Sequence, residues 1–217
     1  MKTDFQAGGL TILDEPLLAA PRITAPDNFA TLEWHDGRNY CLPTSNQGQT
    51  SACAGYTVAG YVEVTRWAET GIKEQVDGLA IYERAKDLEG NTSPGTTLSF
   101  AVKAAQAMGL IDKTKTIRTI KTFYDMKIAM HRHKCCITGA MINQNWNHAG
   151  DDGWLSTDRN EAIGGHAFLT CWFNEDKRYP LGVGWQNSWA LKWGHQGFGR
   201  CSIDAFRQQL LYAVVVE

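Results

Sequence analysis

Hydrophobic and polar positions change their period near the middle of the chain. In residues 54–70, Ala54, Val58, Tyr61 and Val62 recur three or four apart with Thr65 on the same face. That is the spacing of one helix face, and Gly71 supplies a stop. Thr50 and Ser51 are the candidate N-caps. Leu79–Leu88 reads as a second helix ending before Gly90. After Pro94-Gly95, the positions Leu98, Ala101, Val102, Ala105 and Met108 form an amphipathic stripe that closes at Gly109. The first half is therefore expected to be mainly helical.

The second half reads differently. A helix is expected near Ile120–His131. It is followed by Cys135–Ile142, a short apolar run of the kind that makes a buried strand. His166–Phe173, Leu181–Trp189, Gly197–Ile203 and Tyr212–Val216 also read as strands. Between the first two, Asn143–Gly165 reads as a long polar loop carrying Trp146 and Trp154. Loops of that length in compact domains often serve function. Residues 1–24 carry Pro16 and Pro21, show no clean period, and read as an extended arm packed at the periphery, with an arm that covers the cleft as the alternative. Helices first and strands later predict an α+β chain. Its expected parts are an N-terminal extension over 1–24 and a domain over 25–217. A helical half spans roughly 45–112 and a β-rich half roughly 113–217.

Composition narrows the class. The chain has 217 residues, enough for one sizeable core, with 43% hydrophobic and 20% charged positions and a formal net charge of −2. That balance excludes a basic nucleic-acid footprint and gives no reason to expect a membrane surface. No apolar run reaches the ~18 residues of a membrane span, and Met1–Gly9 lacks the pattern of a signal peptide. An intracellular, cytoplasmic monomer is expected. Six cysteines lie at 41, 53, 135, 136, 171 and 201. Cys135 and Cys136 are adjacent, so in a strand they face opposite sides, and no CxxC pair suggests zinc. Five are expected to be free and mostly buried, with no metal and no cofactor.

The sixth, Cys53, belongs to one of three stretches that carry candidate chemistry. They are Gln47-Gly48-Gln49-Thr50-Ser51-Ala52-Cys53, Gly164-Gly165-His166-Ala167 and Gln186-Asn187-Ser188-Trp189. A thiol, an imidazole and an amide are the parts of an activated cysteine nucleophile. Cys53 stands at a predicted helix start, where unpaired amides and the helix dipole favour a thiolate. Gln47, in a Gly-flanked loop, can donate to the oxygen of a tetrahedral intermediate together with the Cys53 amide. Alone it would be an ordinary turn residue. His166 opens an apolar strand, and the glycines before it leave room for a substrate backbone. Asn187 offers an amide oxygen to hold one imidazole tautomer. Trp189 is placed on the same strand face to shield that bond from water.

In this order and spacing the chain resembles the papain-like cysteine peptidases. The matching elements are Gln47-Gly48, Cys53, Gly165-His166-Ala167, Asn187-Ser188-Trp189, Trp193-Gly194 and Gly197-Phe198. The resemblance covers about Ala25 to the C-terminus. It implies a helical half and an antiparallel sheet or barrel half facing across a cleft. Cys53 would be the nucleophile, His166 the general base then acid, Asn187 its orienter and Gln47 the oxyanion donor. Gly95 and Gly165 would lie against substrate backbone, and the partner would be a protein or peptide substrate hydrolysed through a thioester. Acyl transfer to an amine would use the same residues, and a relict binding protein would keep the fold alone.

The chain departs from the family pattern at three places. Thr50 stands where a disulfide cysteine is usual, Ala54 where an aromatic residue follows the nucleophile, and Ala190 where glycine follows Asn-Ser-Trp. A compact form without the disulfide or a long pro-region is implied, of prokaryotic or viral kind.

Overall fold

The computed structural model describes residues 9–24, 32–156, 162–178 and 181–217. Six α-helices and seven strands follow in the order α1 (Glu15–Ala19), β1 (Trp34–Asp36), α2 (Cys53–Thr70), α3 (Gly78–Glu89), α4 (Leu98–Ala107), β2 (Ile117–Ile120), α5 (Phe123–His133), β3 (Cys136–Asn143), β4 (Ala162–Asn174), β5 (Gly182–Gln186), β6 (Phe198–Cys201), α6 (Ile203–Gln209) and β7 (Leu210–Val216).

The helical half rests on α2. That helix packs on α3 and α4, and Val58, Tyr61, Val62 and Val64 are among its buried residues. Its other flank lies against β3 and β4. The helix ends as expected, because Gly71 adopts φ 77° and its amide closes on Trp67 O. The caps of α3 and α4 are Asp77 and Thr97, whose side chains accept first-turn amides.

The other half is one antiparallel sheet in the order β2-β7-β3-β4-β5-β6, with β1 added to β4. β4 is its spine. It pairs with β3 (Ala140↔His166), with β5 (Leu169↔Gln186) and with β1 (Asp36↔Trp172). Every residue of β5 is buried, and on β3 only Met141 reaches partial exposure. The strands therefore read as near-continuous apolar runs and not as an alternation.

Several expectations change. The arm is not wholly extended, because Asp14 caps the short helix α1 and Leu17 is buried under it. The helix expected from Ile120 starts at Phe123, where Thr122 and Asp125 form a capping box. The four residues before Lys121 are strand β2. Residues 203–209 are helix α6, capped by Ser202. β4 begins at Ala162, so the loop expected over Asn143–Gly165 is shorter and is opened by a 3-10 turn over Gln144–His148; its residues 157–161 lie outside the described residues. All six cysteines are free, five of them buried and Cys41 half-buried. Among the described residues no helix is long and apolar enough to cross a membrane, and no cluster of His, Cys, Asp or Glu suits a metal ion.

Candidate active site

Cys53 is the first residue of α2. The N-cap is Ala52, with no side-chain cap, and not Thr50 or Ser51 as the sequence suggested. Without a capping side chain, the first-turn amides remain directed at the thiol. Backbone N–H groups of Ala54, of Cys53 itself and of Ala167 act on the sulfur. Ala167 is the residue after His166, so β4 brings the imidazole strand beside the helix start. Three positions far apart in sequence meet here because α2 packs across β4.

The imidazole is held on one side only. Its Nε2 lies 2.8 Å from Asn187 Oδ1. Asn187 Oδ1 also accepts from the Ser188 amide at 2.8 Å, which fixes the carboxamide. An oxygen acceptor at Nε2 places the proton there and leaves Nδ1 as the basic nitrogen. Nδ1 is buried and has no hydrogen-bond partner. Asn187 itself lies just beyond β5, which ends at Gln186, and not on a strand as expected.

Gln47 reaches the same place by a backbone route. Its amide donates to Ser188 O at 2.9 Å, and Ala190 N donates to Ser45 O at 3.1 Å. These bonds zip the Gln47 loop to the Asn187 turn. The side chain is fixed at both ends: Ser188 Oγ donates to Oε1 at 2.6 Å, and Nε2 donates to Thr50 O at 2.9 Å. Ser188 is therefore a positioning residue that the sequence reading passed over. Its place in the Asn-Ser-Trp triplet was the available signal.

A tryptophan cluster walls the imidazole off from water. The rings of His166 and Trp189 are 4.6 Å apart, and Trp146 meets His166 edge-on at 5.9 Å. Trp146 also stacks on Trp185 at 4.8 Å, and its carbonyl accepts from Trp193 Nε1. Trp146 was legible only as a loop residue. Its role comes from the 3-10 turn that swings it under β4 and β5.

The site is covered by the arm. Gly9, Leu10 and Thr11 cross from the helical wall to the sheet wall. Thr96 N donates to Gly9 O at 3.2 Å, Thr11 N to Thr96 O at 3.0 Å, and Leu10 N to Gly165 O at 3.2 Å. Gly95 has φ 80°, and a Cβ there would collide with Gly9 O. A Cβ on Gly165 would stand 2.8 Å from Leu10 O. The Leu10 side chain is buried against Gly139 and Gly165, and Tyr212 Oη holds Thr11 O at 3.1 Å. The arm is thus not peripheral, and both glycines expected to face substrate backbone face the arm's backbone. Cys53 and His166 are consequently each 0% exposed.

Burial sets the protonation state of this closed form. It pushes the Cys53 thiol up to about 11, outweighing the three amides. It pushes His166 down to about 4, against the hydrogen bond that Nε2 donates to Asn187. At neutral pH the closed site holds a thiol and a neutral imidazole.

No protein-family model matches the chain, and no curated protein matches it by sequence. Solved structures do match. Xylellain, a cysteine protease from Xylella fastidiosa, aligns with a TM-score of 0.78 over 100% of this chain and 97% of its own, at 15% identity. Digestive procathepsin L 3 of Tenebrio molitor larval midgut aligns with a TM-score of 0.73, covering 99% of this chain and 76% of its own, at 14% identity. Recombinant stem bromelain precursor aligns with a TM-score of 0.71, covering 99% and 77%, at 14% identity. The fold is papain-like, an α+β architecture with a helical half against an antiparallel sheet.

Proposed function

We propose that this protein is a cysteine-type peptidase acting through Cys53, His166 and Asn187. The observation that carries the reading is the buried, partnerless Nδ1 of an imidazole whose Nε2 is tied to Asn187, on the strand whose Ala167 amide meets the Cys53 thiol. A base with one nitrogen fixed and the other free beside a helix-start thiol is the arrangement that nucleophilic catalysis needs.

Nδ1 takes the Sγ proton, and the thiolate attacks the carbonyl carbon of a peptide bond. The negative oxygen is met by the Cys53 amide and the Gln47 carboxamide. His166 returns the proton to the departing amine, leaving a thioester on Cys53. Water, deprotonated by His166, then releases the acid. Asn187 keeps the imidazole in one tautomer throughout. Gly95 and Gly165 flank the strip of cleft where the substrate backbone lies once the arm has left, and Trp189 shields the imidazole. A protein or peptide substrate follows from the backbone groups of Thr96 and Gly165, which pair with the arm's own backbone in the closed form, and no metal or cofactor enters any step.

The test uses the full chain and a form lacking residues 1–12. Both are incubated with a peptidyl epoxide and with unfolded casein. Labelling that maps to Cys53, with casein cleavage lost in a folded Cys53→Ala variant, is the expected result. Cleavage by Cys53→Ala overturns the reading. Product transferred to an added amine in preference to water moves the activity to acyl transfer.

A further inference from the structure

One wall of the imidazole is fixed from outside the site. Trp146 and Trp189 stand 6.4 Å apart and at 76° to each other. The His166 ring meets both, at 4.6 Å from Trp189 and 5.9 Å from Trp146. The imidazole therefore lies in the corner that the two indoles make. It is tilted by 35° to Trp189 and stands at 79° to Trp146. Trp189 limits how far the ring can lift, and Trp146 how far it can turn.

Trp146 is carried by the 3-10 turn Gln144–His148, which Asn143 caps. A turn that short leaves its side chains to be fixed by other elements. Two polar bonds do so here. The Trp146 carbonyl accepts from Trp193 Nε1 at 2.6 Å, and its own Nε1 donates to Gln209 Oε1 at 3.2 Å. An indole N–H only donates, so it sets which end of the Gln209 carboxamide faces it. Gln209 is half-buried and is the last residue of α6. Phe206, three residues earlier on the same helix face, packs on Trp185 and Phe168 at 6.3 and 6.4 Å. Trp185 in turn stacks on Trp146 at 4.8 Å. Helix α6 thus holds the aromatic cluster at two points, through Phe206 and through Gln209.

We propose that Gln209 is a positioning residue for the reaction. By holding the Trp146 indole at its N–H, it keeps the His166 ring turned to Asn187 Oδ1, 2.8 Å from Nε2, with Nδ1 left for the Cys53 proton. Trp146 is 1% exposed, so an indole N–H that lost its acceptor would be buried and unpaired. The indole would turn toward another partner, and the corner that holds the imidazole would open. The ring could then rotate off Asn187, and the tautomer that leaves Nδ1 basic would no longer be imposed. This role rests on the reading of His166 as the base that acts on Cys53.

The test reads the imidazole itself and needs no turnover. The full chain is made with isotope-labelled histidine and followed by NMR at pH 7, with the His166 Nε2–H signal assigned by its loss in His166→Gln. The unchanged chain is expected to show one downfield Nε2–H signal protected from exchange with water. In Gln209→Leu that signal is lost to exchange, or moves upfield as the hydrogen bond to Asn187 lengthens. Gln209→Glu keeps an oxygen acceptor, and the signal stays. Trp146→Phe removes the indole N–H directly and behaves as Gln209→Leu does. A Gln209→Leu chain that melts lower yet keeps the signal in place overturns the proposal and leaves Gln209 a structural residue. Loss of the signal in Gln209→Glu overturns it too, as does its absence from the unchanged chain. Casein left uncleaved by a chain whose signal follows Gln209 in this way counts against the peptidase reading and supports Gln209's hold on the imidazole.

Discussion

The Leu10 amide donates to the Gly165 carbonyl at 3.2 Å, so the residue before His166 is occupied by the protein's own backbone. The arm is anchored at two places further along the chain. Asp14 Oδ2 accepts from Ser99 N at 2.9 Å, and Arg22 forms a two-pronged pair with Asp125 at 3.0 and 2.8 Å. The anchors hold Gly9–Thr11 in place as an intramolecular strap.

Loosening the strap is expected to expose the thiol. Leu10→Asp puts a carboxylate into a site that is 3% exposed, a cost that displaces the segment rather than burying the charge. Iodoacetamide labelling of Cys53 at pH 7 should rise at least about tenfold, because exposure relieves the desolvation that holds the thiol neutral. An unchanged rate would show that the strap does not gate the site.

Gln47→Ala is expected to lower kcat by about 10²–10³ with a small change in KM, the loss seen when one oxyanion donor is removed. Ser188→Ala should act in the same direction but less, about tenfold. It frees the Gln47 carboxamide, which Ser188 Oγ holds at 2.6 Å. Steady-state kinetics on a strap-free form checks both. A Ser188→Ala effect confined to KM would place Ser188 in substrate binding instead.

Ala190 sits at φ 63°, in the left-handed region. A side chain there costs roughly 1 kcal/mol relative to glycine. Ala190→Gly should therefore raise Tm by about 2–4 °C with the fold unchanged. Calorimetry of the two proteins decides it, and a fall in Tm would mean that the strain is offset locally.

Glu63 is 7% exposed, and its Oε1 accepts from Val76 N at 2.8 Å. Burial raises its carboxyl from 4.5 to about 7. A raised acid pKa favours the folded state below 4.5 and loses that advantage as pH climbs through 7. Glu63→Gln keeps the acceptor without the charge. It should stabilise the protein by about 2 kcal/mol at pH 8 and change little at pH 5. Urea titrations at the two pH values test this; equal effects at both would exclude a titration origin.

The sequence by itself determined the helices α2, α3 and α4, because their stripes and glycine stops are local; their N-caps, Ala52 in place of Thr50 or Ser51 among them, were not read from it. It also named the thiol, imidazole and carboxamides, since each sits beside glycines or at an element boundary that leaves a local mark. Three things were decided only by tertiary structure. Ser188 matters because two turns distant in sequence are zipped together. Trp146 matters because a loop swings under two strands. Whether the arm lies at the periphery or over the cleft was left open, because Gly9–Thr11 binds through backbone amides and carbonyls, which every residue carries and no side-chain pattern reports.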